Sequence, residues 1–169
     1  MTDQSPRAAP RTVIVGLGNP VLGDDGVGWR VADEVERRLG ADGPKPEGVE
    51  VERLGVGGLR LMEFLSGYDR AILVDAAEFP DRPIGEIRTQ RLDELAGPGP
   101  GHLDSAHDAS LATALELGRG LGAELPGSID VVTVQVARTD IFSEELSPEI
   151  AALVPAATDA VLGLLARQS

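Results

Sequence analysis

The sequence contains no cysteine and little positive charge. The lack of cysteine excludes disulfide bonds, thiolate metal ligands and a cysteine nucleophile, and it fits a cytoplasmic setting. Lysine and arginine together number 15, against 28 aspartates and glutamates, which gives a formal net charge of −13. Nucleic-acid binding draws its affinity from basic side chains that neutralise phosphates. We therefore expect no DNA or RNA partner for this chain.

Long apolar runs are also missing from the sequence. The opening residues, MTDQSPRAAPR, contain no apolar core of a signal peptide, and no run approaches the roughly 20 apolar residues of a membrane span. The chain has 169 residues, of which 42% are hydrophobic, enough for one domain with a substantial core. We expect residues 1–11 to form a flexible polar tail and residues 12–169 to form a single domain that is not bound to a membrane.

The apolar residues that are present follow strand and helix patterns in turn. TVIVGLG at 12–18 and AILVD at 71–75 are continuous apolar runs, typical of strands buried on both faces. From Gly28, apolar residues at Val31, Val35 and Leu39 recur at helical spacing, which predicts an amphipathic helix of about three turns. VEVERL at 49–54 and PIGEIRTQRL at 83–92 alternate, so the second is expected to be an edge or antiparallel strand.

The second half of the chain continues this alternation. A loop rich in Gly and Pro precedes a helix that Ser105 or Asp108 could cap, and SIDVVTVQVAR at 128–138 is the last predicted strand. Ser147 and Pro148 open a terminal helix that Pro155 could kink. Together these patterns predict an α/β fold: a three-layer sandwich with a mostly parallel, twisted sheet of about five strands and helices on both faces.

The loop GLGNPVLGDDGVG at 16–28 raises the question of a phosphate site. A dinucleotide fingerprint needs glycine where Val21 stands, and Asp24 with Asp25 would repel a pyrophosphate at the start of the helix. VGLGNP also resembles the opening of peptidyl-tRNA hydrolases, but the residues that follow depart from that family and the acidic composition disfavours tRNA. The sequence therefore favours a role for the acids themselves.

Two acids lie where ligands bind in parallel sheets, beyond or at the carboxyl ends of buried strands: Asp25 and Asp75. Two carboxylates in one cleft require a cation, a proton or a basic partner. The chain has two histidines, His102 and His107, both predicted on the loop before the next helix. Two aspartates and one histidine would form a three-ligand metal site with open positions, suited to nickel, zinc or copper.

Each of these residues also has a purely structural interpretation. Asp24 or Asp25 could cap the helix that follows, and Asp75 could accept a hydrogen bond from a backbone N–H at the strand end. Either histidine could be a solvated loop residue. The glycines could serve only tight turns and the close approach of helix to strand.

The whole stretch GLGNPVLGDDGVGWRVADEV resembles the N-terminal signature of the hydrogenase maturation endopeptidases. Enzymes of this family remove a C-terminal extension from the large subunit of nickel-iron hydrogenases after nickel has been inserted. The similarity continues through AILVDA, SAHDASLATAL and VVTVQVA to the terminal helix that SPEI opens, and it spans residues 12–165.

This resemblance implies a particular site and partner. The family's metal ligands are an acid in the first motif, an aspartate at the end of the VDA strand and a histidine before the following helix, which fall on Asp25, Asp75 and His107. These three would be both catalytic and metal-binding. The resemblance implies nickel that arrives with the substrate, for which Cd or Zn could substitute in vitro. It also implies a nickel-loaded large-subunit precursor as the partner, and we expect a monomeric enzyme.

Two positions depart from the family pattern. Many relatives have Glu where Asp25 stands, and VGGL at 56–59 keeps only the glycines of a common Asp-Gly-Gly-Thr stretch. The second departure motivates an alternative hypothesis, a non-catalytic metal-sensing or chaperone-like binding domain of the same fold. No motif signals a serine, threonine or cysteine nucleophile, and no H-E-x-x-H motif is present, so cleavage would use water, assisted by acid groups or metal.

Overall fold

The sheet has five strands and is mostly parallel, as predicted. The structure, a computed structural model, describes residues 9–41, 43–95 and 106–167. The strand order is β2-β1-β3-β5-β4, in which β4 alone runs antiparallel and occupies an edge. This confirms the edge or antiparallel prediction for the alternating segment before residue 92. The strands are β1 Thr12–Leu17, β2 Val49–Leu54, β3 Arg70–Ala77, β4 Ile87–Arg91 and β5 Ser128–Gln135.

Helices cover both faces of the sheet, which confirms the three-layer prediction. The helices are α1 Val27–Ala41, α2 Gly58–Leu65, α3 Leu92–Leu95, α4 Ala106–Gly120, α5 Pro148–Ala151 and α6 Val154–Ala166. One buried cluster joins α1, α5 and α6 to the sheet, and a second joins α2, α3 and α4 to its other face. Successive strand residues point to opposite faces, so β1 and β3 supply both clusters. Both strands are buried along their whole length, which explains their unbroken apolar runs.

Helix α1 lies in direct contact with the strands beneath its first turn. A Cβ on Gly28 would lie 2.3 Å from the Leu17 carbonyl oxygen and 2.5 Å from that of Val74. A Cβ on Gly16 would lie 2.2 Å from the Gly28 carbonyl oxygen. The two glycines thus permit a close approach of helix and strand, as one interpretation of the sequence proposed. The helix has 15 residues, about four turns rather than the predicted three, because the helical pattern continues to Ala41.

Helix α4 begins earlier than expected. It starts at Ala106, so the backbone of His107 lies in the first helical turn, and the prediction that His107 lies on the preceding loop is wrong. No Gly or Pro separates Ala106 from the rest of the helix, so nothing delays its start. Asp108 is inside the helix and is therefore not its cap. His102 and Ser105 lie outside the described residues.

The C-terminal helical region is divided where Pro155 interferes. The Ser147 hydroxyl accepts a hydrogen bond from the backbone N–H of Ile150 at 3.5 Å and Pro148 follows it, which confirms the predicted cap. The predicted kink is a break between α5 and α6, because Pro155 has no N–H to donate to the preceding turn.

The same region bears on the expectation that no apolar run is long enough to span a membrane. Together with the two residues between them, α5 and α6 span Pro148–Ala166, 19 residues that contain an 18-residue window of mean hydropathy 1.6, long and apolar enough by composition to cross a membrane. A core helix of a soluble protein passes the same test. In this stretch Ile150, Ala157 and Val161 are buried in the cluster that joins α1, α5 and α6 to the sheet, and 28% of its most apolar window is buried.

Candidate active site

The site is built around a short acidic turn between β1 and α1. This acidic turn, Gly23–Gly26, is one turn of 3₁₀ helix and carries Asp24 and Asp25. Gly18 precedes it with a φ of +119°, and a Cβ there would lie 2.0 Å from the Asp25 carbonyl oxygen. Glycine is therefore required at this position on two grounds, backbone conformation and space. It lets the acidic turn fold back onto the end of β1.

Asp25 lies at the edge of the sheet where β1 and β2 end. Its Oδ2 accepts a hydrogen bond from the backbone N–H of Asn19 at 2.8 Å, and the side chain is half-buried. Trp29 donates from Nε1 to the Leu54 carbonyl oxygen at 3.4 Å. Asp25 faces a cavity of about 430 Å³, here called the acid cavity, which is lined by Gly18, Asn19, Pro20, Asp25, Trp29, Gly55 and Val56. The carboxylate is thus held in one orientation at the border of a space that can admit a ligand.

Asp75 lies on β3 and is fully buried. Its Oδ1 accepts a hydrogen bond from the backbone N–H of Ala76 at 2.9 Å, the contact that the structural interpretation of the sequence anticipated. A buried carboxylate requires such partners, because removal from water is otherwise costly. Strand pairing aligns Gly16 with Val74, and the acidic turn contacts β3. The segments that carry Asp25 and Asp75 therefore meet at the same edge of the sheet.

His107 is the third predicted ligand, and only its backbone position can be given. Helix α4 ends beside the start of β5, since Leu125 contacts Gly118 and β5 begins at Ser128. The first turn of α4 therefore points towards the edge where the parallel strands end. Among the side chains that the structure describes, which do not include that of His107, no three His, Asp or Glu come together as a metal site. The three-ligand assignment stays a prediction.

Asp24 has a role that the sequence did not reveal. Its Oδ1 accepts from the backbone N–H of Ser147 at 2.7 Å, and its Oδ2 accepts from the Ser147 hydroxyl at 2.9 Å. Asp24 therefore fastens the acidic turn to the start of α5 and is not the cap of its own helix. The two residues are 123 positions apart, and no local spacing could have paired them.

The fold and this acidic edge define an α/β protein whose candidate ligand site lies beyond the carboxyl ends of a mostly parallel sheet. The family model described as HycI, hydrogenase maturation protease, matches residues 29–164. A putative hydrogenase maturation protease of Methanocaldococcus jannaschii is 31% identical over 157 residues, which cover 89% of this chain and 94% of that relative. The chain belongs to the hydrogenase maturation protease family. The resemblance seen in the sequence is thereby confirmed.

The comparisons also include a relative and a solved structure from Escherichia coli. Its hydrogenase 2 maturation protease is 26% identical over 155 residues, 92% of this chain and 90% of the relative. The solved structure of its hydrogenase maturating endopeptidase HybD superposes with a TM-score of 0.74 at 23% identity and covers 94% of each chain. At that identity the superposition shows the fold. The family is one of peptidases, so the prediction of a hydrolase is confirmed at this level.

Proposed function

We propose that this protein is an endopeptidase that removes the C-terminal extension of a nickel-iron hydrogenase large-subunit precursor after nickel insertion. The observation that carries the proposal is Asp25, a half-buried carboxylate held by the Asn19 backbone at the border of the acid cavity. Membership of the protease family supports the reaction class. The nickel belongs to the substrate and marks a precursor that is ready for processing.

The donor chemistry fits a metal that the substrate brings. Asp25 and Asp75 offer carboxylate oxygens at one sheet edge, and His107 would add an imidazole nitrogen, a donor that suits nickel. Three ligands leave coordination positions open for groups of the precursor. Cd or Zn could occupy the same ligands in vitro, because none of the three groups selects strongly among borderline divalent ions.

Peptide hydrolysis at this site uses water as the nucleophile. A water molecule adds to the carbonyl carbon of the scissile bond, the C–N bond breaks, and the new amine takes up a proton. Asp25, which faces the acid cavity, accepts a proton from the attacking water and returns it to the leaving amine. Asp75 is buried on β3 and fixes the position of the substrate's metal. We expect this reaction to take place in the cytoplasm, with the enzyme as a monomer.

The test is the processing of a purified large-subunit precursor, followed by mass spectrometry of the released C-terminal peptide. We expect nickel-loaded precursor to be cut and nickel-free precursor to remain intact, because an interaction present only in the assembled complex is the one that can accelerate the step. Asp25→Asn should lower the rate by about 100-fold or more. Glu124→Gln is the matched control, since Glu124 is an exposed carboxylate at the opposite edge of the sheet.

Two outcomes would contradict the proposal. Equal cleavage of nickel-free and nickel-loaded precursor would remove the role of the metal and leave a peptidase. Equal rates of cleavage by Asp25→Asn and the Glu124→Gln control would show that Asp25 has no role in the reaction.

A further inference from the structure

Four exposed apolar side chains lie beside the acidic turn. Val21, Ile84, Ile141 and Phe142 are 38%, 45%, 49% and 85% exposed and are here called the apolar surface. Exposed apolar side chains that occur together mark binding sites more often than isolated ones do. These four come from three separate segments of the chain, so the fold has brought them together.

A cavity adjoins the apolar surface, and Ile84 and Ile141 of that surface line it. Its volume is about 430 Å³, and it is here called the apolar cavity. Its apolar lining consists of Ile84, Ala137, Ile141 and Leu146. Asp24, Arg138, Glu145, Ser147 and Glu149 contribute the polar part of its lining. A space of this size can receive a large apolar side chain of a bound polypeptide.

The apolar surface is attached to the acidic turn by backbone hydrogen bonds. The N–H of Gly23 donates to the carbonyl oxygen of Ser143 at 2.7 Å, and the N–H of Ser143 donates to the carbonyl oxygen of Val21 at 3.1 Å. Asp24 lines the apolar cavity, whereas Asp25 lines the acid cavity. The acidic turn thus lies between the apolar cavity and the acid cavity. A polypeptide segment bound in the apolar cavity is therefore held at a fixed distance from the acid cavity.

The charge around the apolar cavity is mainly negative. Glu145 and Glu149 line it, and Arg138 is engaged by Asp140 through two hydrogen bonds of 2.9 and 3.0 Å. These hydrogen bonds from Arg138 lower the pKa of the Asp140 carboxyl, which keeps that pair charged and mutually neutralised. The carboxylates of Glu145 and Glu149 are exposed to a partner. A complementary ligand therefore combines an apolar side chain with positive charge.

We propose that the apolar surface and its cavity dock the hydrogenase precursor, through a segment that presents a large apolar side chain next to basic residues. This proposal rests on the proposed function. It adds a surface that binds the precursor away from the groups that cleave it. Because this chain carries a net charge of −13, a polypeptide segment with positive charge is complementary to it. A second copy of this chain is also negatively charged, so it would be repelled by the carboxylates of Glu145 and Glu149.

The experiment compares Phe142→Ser with Leu121→Ser in the processing of nickel-loaded precursor. Leu121 is the matched control because it is 78% exposed and lies just beyond the end of α4, at the opposite edge of the sheet. We expect Phe142→Ser to raise KM about tenfold with kcat unchanged, since it removes binding without touching the reacting groups. Leu121→Ser should leave both constants unchanged. Equal KM values for wild type and Phe142→Ser would overturn the proposal.

Binding of the same precursor, measured by surface plasmon resonance, separates this proposal from the proposed function. Wild-type protein that binds the precursor and loses this binding in Phe142→Ser, but cleaves nothing, would support docking and contradict the peptidase assignment. Wild-type protein that does not bind the precursor would overturn docking. Sedimentation of the wild type gives a further check: a dimer that Phe142→Ser dissociates would assign the apolar surface to a second copy of this chain and overturn the proposal.

Discussion

Asp24 and Asp25 are adjacent in the acidic turn, but different segments bind their carboxylates. Asn19 donates to Asp25 from within the same loop, whereas Ser147 donates to Asp24 with both its backbone N–H and its hydroxyl. One acid is therefore oriented towards the acid cavity, and the other is used to fasten the turn that carries it. A mutation of each should affect a different property.

Asp24→Ala should mainly lower the free energy of unfolding and should have little effect on the rate of cleavage. It removes two hydrogen bonds to a charged acceptor and leaves the N–H of Ser147 without that partner, so we expect a loss of about 1–3 kcal/mol in the free energy of unfolding, measured with urea. A double-mutant cycle with Ser147→Ala should give a coupling energy of about 1 kcal/mol. Asp81→Ala, an exposed acid, is the control and should change stability by less than about 0.5 kcal/mol. Strict additivity of Asp24→Ala and Ser147→Ala would contradict the assignment.

At the scale of helices and strands, the first turn of α1 has the least free space. Gly28→Ala would place a Cβ against two backbone carbonyl oxygens, neither of which can move without displacing β1 or β3. We expect a loss of about 3 kcal/mol or more, or failure to fold. Gly40→Ala lies in the same helix with nothing within 4 Å of the added Cβ, and it should stabilise by about 0.5–1 kcal/mol. Thermal melts compare the two variants directly, and similar melting temperatures would show that the close approach is unimportant.

Helices α1 and α6 are also joined by a charged network at their surface. Glu34 accepts from Arg37 and Arg38 at 2.7 to 2.8 Å, and Arg38 reaches Asp159 on α6 at 2.6 Å. Hydrogen bonds from Arg37 and then from Arg38 lower the pKa of Glu34 from an ordinary value of 4.5 to about 2. The network therefore favours the ionised form of Glu34 in the folded protein.

This shift predicts a pH-dependent effect of Glu34→Gln. Because the folded-state pKa is depressed, the stabilisation is fully present above about pH 4.5 and is lost as pH falls towards 2. The wild type should melt at a slightly higher temperature than Glu34→Gln at pH 7, and the two should converge near pH 2. A difference between wild type and Glu34→Gln that persists at pH 2 would have to come from packing and would contradict this explanation.

At the scale of the whole molecule, sequence patterns predicted the layers well because burial leaves a local signature. β1 and β3 read as unbroken apolar runs since both of their faces are covered, and β4, which lies at an edge, is only partly buried and has no such run. Asp25 and Asp75 are predicted to lie together for a related reason: the carboxyl ends of parallel strands share one edge of the sheet.

Features that depend on distant partners were not predictable from local patterns. The bond between Asp24 and Ser147 and the apolar surface beside it combine segments far apart in the chain, so no spacing rule could find them. Val56, which departs from the family pattern, lines the acid cavity next to Gly55. The departure therefore lies at the site itself, a position that the sequence could not assign.

The bond between Asp24 and Ser147 also has a consequence for protein synthesis. The acidic turn leaves the ribosome early, but its fastening to α5 requires a residue made 123 positions later. Until then the turn has only its local hydrogen bonds, and the apolar surface lacks Ile141 and Phe142. A partly made chain therefore contains Asp25 and its hydrogen bond from Asn19 before Ser147 is available to fasten the acidic turn to α5. Both hydrogen bonds between Asp24 and Ser147 can therefore form only after the chain has been made as far as the start of α5.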